Sequence, residues 1–384
     1  MELYIHIPFC IRKCSYCAFT SFAGCACEEM AQYTNEILRE ADQRIPFISE
    51  PIKTVYVGGG TPSLLPAHLL KQLFLSLRKK LPFSPDPEFT VEANPGTVSE
   101  EWLDTALFCG ANRISFGVQA VQDHLLQILG RIHSFDQVIQ SVDSARKRGF
   151  QNISIDLIFG IPGQTMPDWQ ATLRDAISLQ PAHISAYGLI PEEGTPLNEA
   201  LNKNSLSLPD PELERDMYDS AIQILEDAGF HQYEISNFAQ PGSECRHNIG
   251  YWDQIPYIGL GLSAASMIRL PSNQEDIFSF RWNNPSTFKD YYTLIEHPEL
   301  FDSMKEKVSR QEARFETLML ALRMTGGMNR NRFTELHGDV PEHWFGPVLN
   351  RMEKLGLMEM KDNSWRLTRR GMDIQNSVLV EFME

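Results

Sequence analysis

Short runs of apolar and β-branched residues alternate along the first half of the chain with longer segments that have helical periodicity. The runs predict six strands, at residues 3–7, 54–57, 88–92, 113–116, 153–158 and 183–187. The segments after them predict helices at residues 29–44, 67–80, 100–108, 135–149, 167–179 and 211–228. Such alternation is typical of parallel strands joined by right-handed crossovers. Because six units are too few to close an eight-stranded barrel, the pattern predicts an α/β fold with a partial (β/α)6 barrel.

The pattern changes after residue 228. Residues 229–307 are rich in Gly, Pro, Asn and aromatic residues, and they predict irregular structure wrapped on the barrel. Helical periodicity returns in residues 308–384, where helices at 311–325, 330–337 and 343–355 precede strands at 357–361 and 364–367. Three helices and a hairpin indicate a winged-helix-like unit. The sequence therefore predicts three parts, with bounds 1–228, 229–307 and 308–384.

Composition and charge narrow the class of function. The 384 residues are 42% hydrophobic, enough for a substantial core, and their formal net charge is −16. A chain this acidic is repelled by phosphate backbones, so we expect no nucleic-acid partner. The predicted C-terminal helices carry no basic face, so we expect a structural or partner-docking role there. No apolar run approaches the roughly 20 residues that span a bilayer. With no leader-like segment at the N-terminus, we expect a cytoplasmic protein that is not transmembrane.

Three of the seven cysteines lie within eight residues, directly after the first predicted strand. Cys10, Cys14 and Cys17 have C-x3-C-x2-C spacing, so three thiolates can converge on one face of a loop. Three thiolates ligate three irons of a [4Fe–4S] cluster and leave the fourth iron open. The alternative is zinc, but a structural zinc site needs four ligands. Cys25 and Cys27 lie just beyond the loop and are either alternative ligands or ordinary thiols.

Further candidate ligand residues lie at the carboxyl ends of the predicted strands, where barrel folds place their chemistry. The run Gly-Gly-Gly-Thr-Pro at 58–62 permits close backbone approach after the second strand. Glu92 closes the third strand, Gln119 ends the fourth, and Arg131 lies in the next helical segment. Asp156 lies within an apolar strand, where a carboxylate is costly to bury without a partner. This arrangement predicts one ligand site at that edge of the sheet.

The cysteine motif, with Tyr16 before its last cysteine, resembles that of the radical S-adenosylmethionine (SAM) superfamily. The resemblance implies that the amino and carboxylate groups of SAM chelate the open iron, and that an electron from the cluster cleaves SAM to a 5′-deoxyadenosyl radical. It also implies that the glycine run receives the amino group of SAM. The protein supplies orientation and electrostatics, while the cofactors carry the chemistry.

Residues 1–240 are similar, more narrowly, to the oxygen-independent coproporphyrinogen III oxidase group. The similarity rests on the run Tyr-Ile-His-Ile-Pro-Phe-Cys at 4–10, the glycine run and the strand-end residues. Carried over by position, it implies SAM contacts from Tyr4, Tyr16, Gly59, Gly60, Thr61, Glu92, Gln119, Arg131 and Asp156.

Two departures from the oxidase pattern favour its heme-chaperone branch, the HemW-type proteins. The oxidases have a fourth cysteine where this chain has Phe19, and they have an N-terminal extension ahead of the first strand that is absent here. His-Asn-x-x-Tyr-Trp at 247–252 is a motif associated with that branch. His247 can be an axial heme ligand, with Tyr251 and Trp252 beside the macrocycle. The alternatives are that the three are core residues, or that Cys245 is the ligand.

The resemblance to that branch implies a heme chaperone that binds heme, a [4Fe–4S] cluster and exchangeable SAM. It implies transfer of heme to an acceptor protein, and this acceptor can be a membrane-bound protein. Two alternatives stay open, because the motifs identify the radical initiator and not the substrate. One is the oxidase activity, which converts coproporphyrinogen III to protoporphyrinogen IX, and the other is a radical SAM enzyme that acts on an unrelated substrate.

Overall fold

The structure is a computed structural model that describes residues 1–271 and 276–383. The central sheet in these residues contains six parallel strands, β1 (Glu2–Ile7), β2 (Ile52–Gly59), β3 (Phe83–Ala93), β4 (Arg113–Gln119), β5 (Asn152–Phe159) and β6 (His183–Gly188). Neighbours along the chain are also neighbours in the sheet. Each predicted strand is found, and the α/β partial-barrel fold is confirmed.

Helices connect these strands and cover one face of the sheet. Leu3, Ile5 and Ile7 on β1 are fully buried in a core that also includes Ile37 and Ala41 of the first helix. Burial of one such aliphatic side chain contributes about 1.5–3 kcal/mol. Because side chains alternate along a strand, the residues between them face the interior of the barrel. The helices are Cys27–Arg44, Ala67–Lys80, Glu100–Phe108, Asp123–Ile128, Phe135–Arg148, Met166–Ser178, Pro196–Asn202 and Pro211–Asp227, with 3-10 turns at Ile45–Phe47 and Pro62–Leu64.

The helix Phe135–Arg148 shows how the sequence sets element ends. Ser134 precedes it and accepts a hydrogen bond from the amide of Gln137, whose side chain accepts one from the Ser134 amide. This capping box satisfies two amides that have no partner inside the helix. Gly149 follows the helix with φ of +121°, a conformation that other residues rarely adopt.

Residues 229–307 contain more regular structure than the expected irregular wrap. His231–Gln232 and Asn237–Ala239 extend the sheet beside β6, while Tyr257–Leu260, Ala265–Arg269, Ile277–Asn283 and Glu306–Ser309 extend it beside β1. Helices Arg246–Trp252 and Phe288–Glu296 and the 3-10 segment Pro298–Met304 complete this part. Several of these strands are only two to four residues long, and the extension joins the barrel through the pairing of Tyr257–Leu260 with β1, which is distant in sequence. Local alternation does not reveal such a pairing.

The C-terminal part has its own apolar core, which includes Leu318, Phe333, Leu349 and Trp365. Its helices Arg310–Ala321, Arg330–His337 and Pro341–Lys354 precede a hairpin of Met358–Lys361 and Ser364–Leu367, to which Met328–Asn329 adds a strand. The hairpin turn, residues 362–363, has positive φ at both positions, as tight hairpins with right-handed twist require. Helices Arg369–Asp373 and Gln375–Val380 follow. The helices and hairpin agree with the winged-helix-like expectation, and the bounds of the three parts stay predictions.

Within the described residues, no helix combines the length and the apolar character needed to cross a membrane.

Candidate functional site

A cavity of about 490 Å³ opens at the carboxyl ends of the parallel strands. It contains almost every residue that the sequence predicts for the ligand site. The predicted residues lining it are Cys10, Cys14, Tyr16, Cys17, Gly59, Gly60, Thr61, Glu92, Gln119, Arg131 and Asp156. Asn94, Ser115, Tyr187 and Asn248 also line it, although the sequence did not predict a role for them. Asn94 directly follows β3 and Tyr187 is the last residue but one of β6, and these positions are a signal that could have identified them.

The cysteine loop is tied to the barrel on both sides. Phe9–Cys10 pairs with Phe22–Ala23, so the loop leaves and returns through one short two-stranded sheet. In its middle, the Ser15 amide donates to the Leu129 carbonyl at 3.0 Å and the Ser15 hydroxyl donates to the Ile128 carbonyl at 2.7 Å. These bonds anchor the loop to the barrel, and all three cysteine side chains line the cavity.

Donors approach two of the thiols. The Thr61 hydroxyl lies 3.6 Å from Cys10 Sγ, and Arg131 Nη1 lies 3.5 Å from Cys14 Sγ. Such contacts stabilise thiolates and tune the potential of a cluster bound to them. No three His, Cys, Asp or Glu side chains in the described ranges are close enough together to hold a single metal ion. That finding concerns single ions, whereas a four-iron cluster keeps its cysteine sulfurs farther apart.

Steric contacts account for the glycine run at 58–62. Gly59 has φ of +112°, and a Cβ there would lie 2.4 Å from the imidazole ring of His6. A Cβ on Gly60 would lie 2.8 Å from the Phe9 carbonyl oxygen, and one on Gly58 would lie 2.9 Å from the Glu92 carboxylate. Only glycine therefore allows β2 to approach β1, the cysteine loop and Glu92 this closely.

Two carboxylates lie on the cavity floor. Glu92 accepts hydrogen bonds from the Tyr56 hydroxyl at 2.8 Å and from the Gly59 amide at 3.1 Å. Asp156 accepts from the Ser115 hydroxyl at 3.1 Å. Burial, together with the charge of Asp156, raises the pKa of Glu92 to about 7, and burial also raises the pKa of Asp156. A cationic ligand would stabilise the ionised form of both carboxylates, and the sulfonium of SAM is such a cation.

Arg131 and Gln119 form the wall next to β4. Arg131 Nη2 donates to the Asn94 side-chain oxygen at 2.7 Å and also to the Gly117 carbonyl, and these bonds direct the guanidinium toward the cysteine loop. Gln119 has φ of +68°, a strained conformation for a residue other than glycine, where the pairing of β4 with β5 shifts register. Strain of this kind is common at ligand sites.

Tyr4 is the predicted SAM contact that the structure does not bring to this cavity. Its ring faces the barrel interior, 6.4 Å from the ring of Tyr56, and its hydroxyl shares a 3.0 Å hydrogen bond with His6 Nδ1. The other ring nitrogen of His6 donates to the Thr20 carbonyl at 2.7 Å. Tyr4 therefore supports the cysteine loop through His6 and lines a different cavity, beside the first.

The His-Asn-x-x-Tyr-Trp motif forms helix Arg246–Trp252. His247 is 1% exposed, and its two ring nitrogens share hydrogen bonds with the Thr54 hydroxyl at 2.7 Å and the Tyr251 hydroxyl at 3.1 Å. Burial lowers the pKa of His247 to about 3, so the ring is neutral at physiological pH. Cys245 is fully buried and its thiol lies 3.7 Å from Glu88. Neither side chain lines this cavity or the one beside it.

Comparisons with known proteins agree with this geometry. Residues 4–176 match the radical SAM superfamily, and residues 308–374 match the HemN C-terminal domain. The solved structure of coproporphyrinogen III oxidase (HemN) from Escherichia coli, a radical SAM enzyme, superposes with a TM-score of 0.81. It covers 99% of this chain and 89% of that chain at 22% identity, which shows a shared fold.

Two relatives match along their full length. Heme chaperone HemW from Bacillus subtilis is 37% identical, over 99% of this chain and 98% of that protein. Heme chaperone HemW from Escherichia coli is 32% identical, over 100% of this chain and 98% of that protein. The chain therefore belongs to the HemW family, within the radical SAM superfamily.

Proposed function

We propose that this protein is a heme chaperone of the radical SAM type, which binds heme and transfers it to an acceptor protein. The observation that carries the proposal is the 37% identity, over nearly the whole of both chains, to a protein named heme chaperone HemW. Superfamily membership implies a [4Fe–4S] cluster and SAM as cofactors.

The cavity residues fit both cofactors. Cys10, Cys14 and Cys17 would hold three irons and leave the fourth open to SAM. Bound there, the cluster supplies an electron to SAM. The chain itself contributes the hydrogen-bonded loop, the glycine run that allows close approach, and Glu92 and Asp156 for the positive charge of the ligand.

Phe19 favours the chaperone over the oxidase. The side chain is 66% exposed and borders the cavity at the position where the oxidase pattern has a cysteine. The site therefore lacks a thiol next to the cluster loop that the oxidase pattern includes. The structural similarity to HemN does not favour the oxidase activity, because at 22% identity it supports the fold alone.

A paired assay on the cluster-reconstituted chain separates the two functions. We expect a stable absorbance change on addition of heme, and no protoporphyrinogen from coproporphyrinogen III supplied with SAM and reductant. Rapid decarboxylation without stable heme binding would establish the oxidase instead. Neither activity, with an intact cluster, would favour an unrelated substrate.

The sequence left open whether His247 is a heme ligand or a structural residue, and its hydrogen bonds favour a structural role. In His247→Ala, the buried Thr54 hydroxyl loses its bond to the imidazole ring, so we expect a loss of ~1–3 kcal/mol in the free energy of unfolding. His183→Ala is a matched control, because His183 is also buried, with bonds to Ser154 and Tyr233, and lies outside both cavities.

Denaturant unfolding and heme titration of the two variants distinguish the roles of His247. We expect both to lose stability and both to bind heme as the unsubstituted chain does. If a folded His247→Ala variant alone failed to bind heme, His247 would be the ligand after all.

A further inference from the structure

A second cavity, of about 630 Å³, lies beside the cavity that the three cysteines line, which we call the cluster cavity. Its floor is the part of the sheet that the segment after residue 256 adds next to β1. Tyr257, Met267 and Arg281 face it from three adjacent strands, in register across the sheet. Its roof is the helix Arg310–Ala321, which contributes Glu316, Met319 and Leu320 from one face.

The two cavities share a wall. Ala18 and Phe19 of the cysteine loop line both of them. Helix Arg246–Trp252 also faces both, because Asn248 lines the cluster cavity while Tyr251 and Trp252 line the second one. The motif that the sequence associates with heme therefore opens its aromatic side chains into the second cavity, not into the first.

We propose that this second cavity holds the heme macrocycle, an inference that rests on the proposed function and assigns its site. The cavity volume lies within the range of about 300–1,000 Å³ typical of small-molecule sites. Most of the lining is apolar or aromatic, with Phe19, Tyr251, Trp252 and Phe278 as flat surfaces for a planar ligand. Arg281 is the cationic side chain in the lining, and it is 43% exposed to water.

The lining also offers iron ligands. Thioether, phenolate and imidazole groups bind heme iron in proteins. Both nitrogens of His6 are already bonded, to Tyr4 and Thr20, and the Tyr251 hydroxyl is bonded to His247. The sulfurs of Met267 and Met319 and the phenol of Tyr257 are therefore the candidates in the lining.

Charge places the propionates at the open edge. Arg281 donates to Glu306 through Nε at 2.8 Å and to Glu316 through Nη1 at 2.7 Å. Two carboxylates outweigh the charge of this one guanidinium, so Arg281 offers no net positive charge to draw the propionates inward, and they stay in water at the open edge. The bound ligand is therefore held by its apolar body and its iron.

The test compares one filled cavity with the other. Leu320→Trp places a larger side chain in the second cavity, from helix Arg310–Ala321. Ile190→Trp places a larger side chain at the cluster cavity, which Ile190 lines; the Ile190 side chain is 70% exposed. Full-length, cluster-reconstituted variants are titrated with heme, and absorbance is read against the same protein without heme. We expect at least a tenfold weaker heme affinity in Leu320→Trp and no change in Ile190→Trp. Iron content and circular dichroism confirm folding.

Three conservative variants test the iron ligand without filling the cavity. Met267→Leu, Met319→Leu and Tyr257→Phe keep shape, and we expect one of them to shift the heme absorption bands. Equal affinity in Leu320→Trp, or weakening only in Ile190→Trp, would overturn the cavity assignment while leaving heme binding intact. Absence of heme binding by the unsubstituted chain would instead refute the proposed function.

Discussion

Replacing Cys14 with alanine is expected to reduce the iron content of the anaerobically reconstituted chain from about four per chain to nearly none. A cubane cluster held by three thiolates loses a third of its protein ligands with this change. In addition, Arg131 Nη1 would lose the sulfur that lies 3.5 Å away. Iron and sulfide analysis and the absorbance of the reconstituted protein measure the result. Cys10→Ala and Cys17→Ala should behave in the same way.

Cys27→Ala is the matched control for cluster loss. This thiol is exposed at the first residue of helix Cys27–Arg44, outside the cluster cavity, so we expect unchanged iron content. Loss of iron in this variant would make Cys27 a ligand, which the sequence left open. A complete cluster in Cys14→Ala would refute the assignment of the triad, and zinc in place of iron would establish the competing interpretation.

Local patterns predicted the barrel and most of its site. Parallel strands end at one edge of the sheet, so residues that end strands, such as Glu92 and Gln119, must lie near one another. The glycine run and the cysteine spacing are also local signals, and the cavity contains both. The predicted strand at 88–92 lies within Phe83–Ala93, since propensity identifies the buried centre of a strand better than its ends.

Features that depend on distant pairing could not be predicted in this way. The bond between His247 and Thr54 joins residues 193 positions apart, and no periodicity near the motif indicates it. Tyr4 was predicted as a SAM contact, but the extension of the sheet next to β1 places it in the wall of the second cavity. The pairing register of the strands in that extension decides which of their residues face the second cavity, and composition does not reveal this register.

Glu92→Gln is expected to weaken SAM binding by roughly 10- to 100-fold, as hydrogen bonds to charged groups are worth about 1.5–3 kcal/mol. The amide of glutamine keeps the shape of the side chain but has only one acceptor oxygen. Because Tyr56 donates to Oε1 of Glu92 and Gly59 donates to Oε2, the change removes one of these two bonds together with the negative charge. Titration of SAM against the electron paramagnetic resonance signal of the reduced cluster measures the affinity. Glu192→Gln is the control, because Glu192 lines the same cavity but is exposed, where water screens its charge.

The same carboxylate should make SAM binding depend on pH. Burial and Asp156 raise the pKa of Glu92 to about 7 from an ordinary value of 4.5, so the free protein carries a largely neutral Glu92 at pH 6. A cationic ligand prefers the ionised form, and SAM affinity should therefore increase between pH 6 and pH 8. In the protein without SAM, the contribution of Glu92 to stability has the opposite sign: it is present below pH 4.5 and is lost as pH rises through 7. The Glu92→Gln variant should show a flat SAM affinity over this range, and an equally steep dependence in that variant would assign the titration to another group.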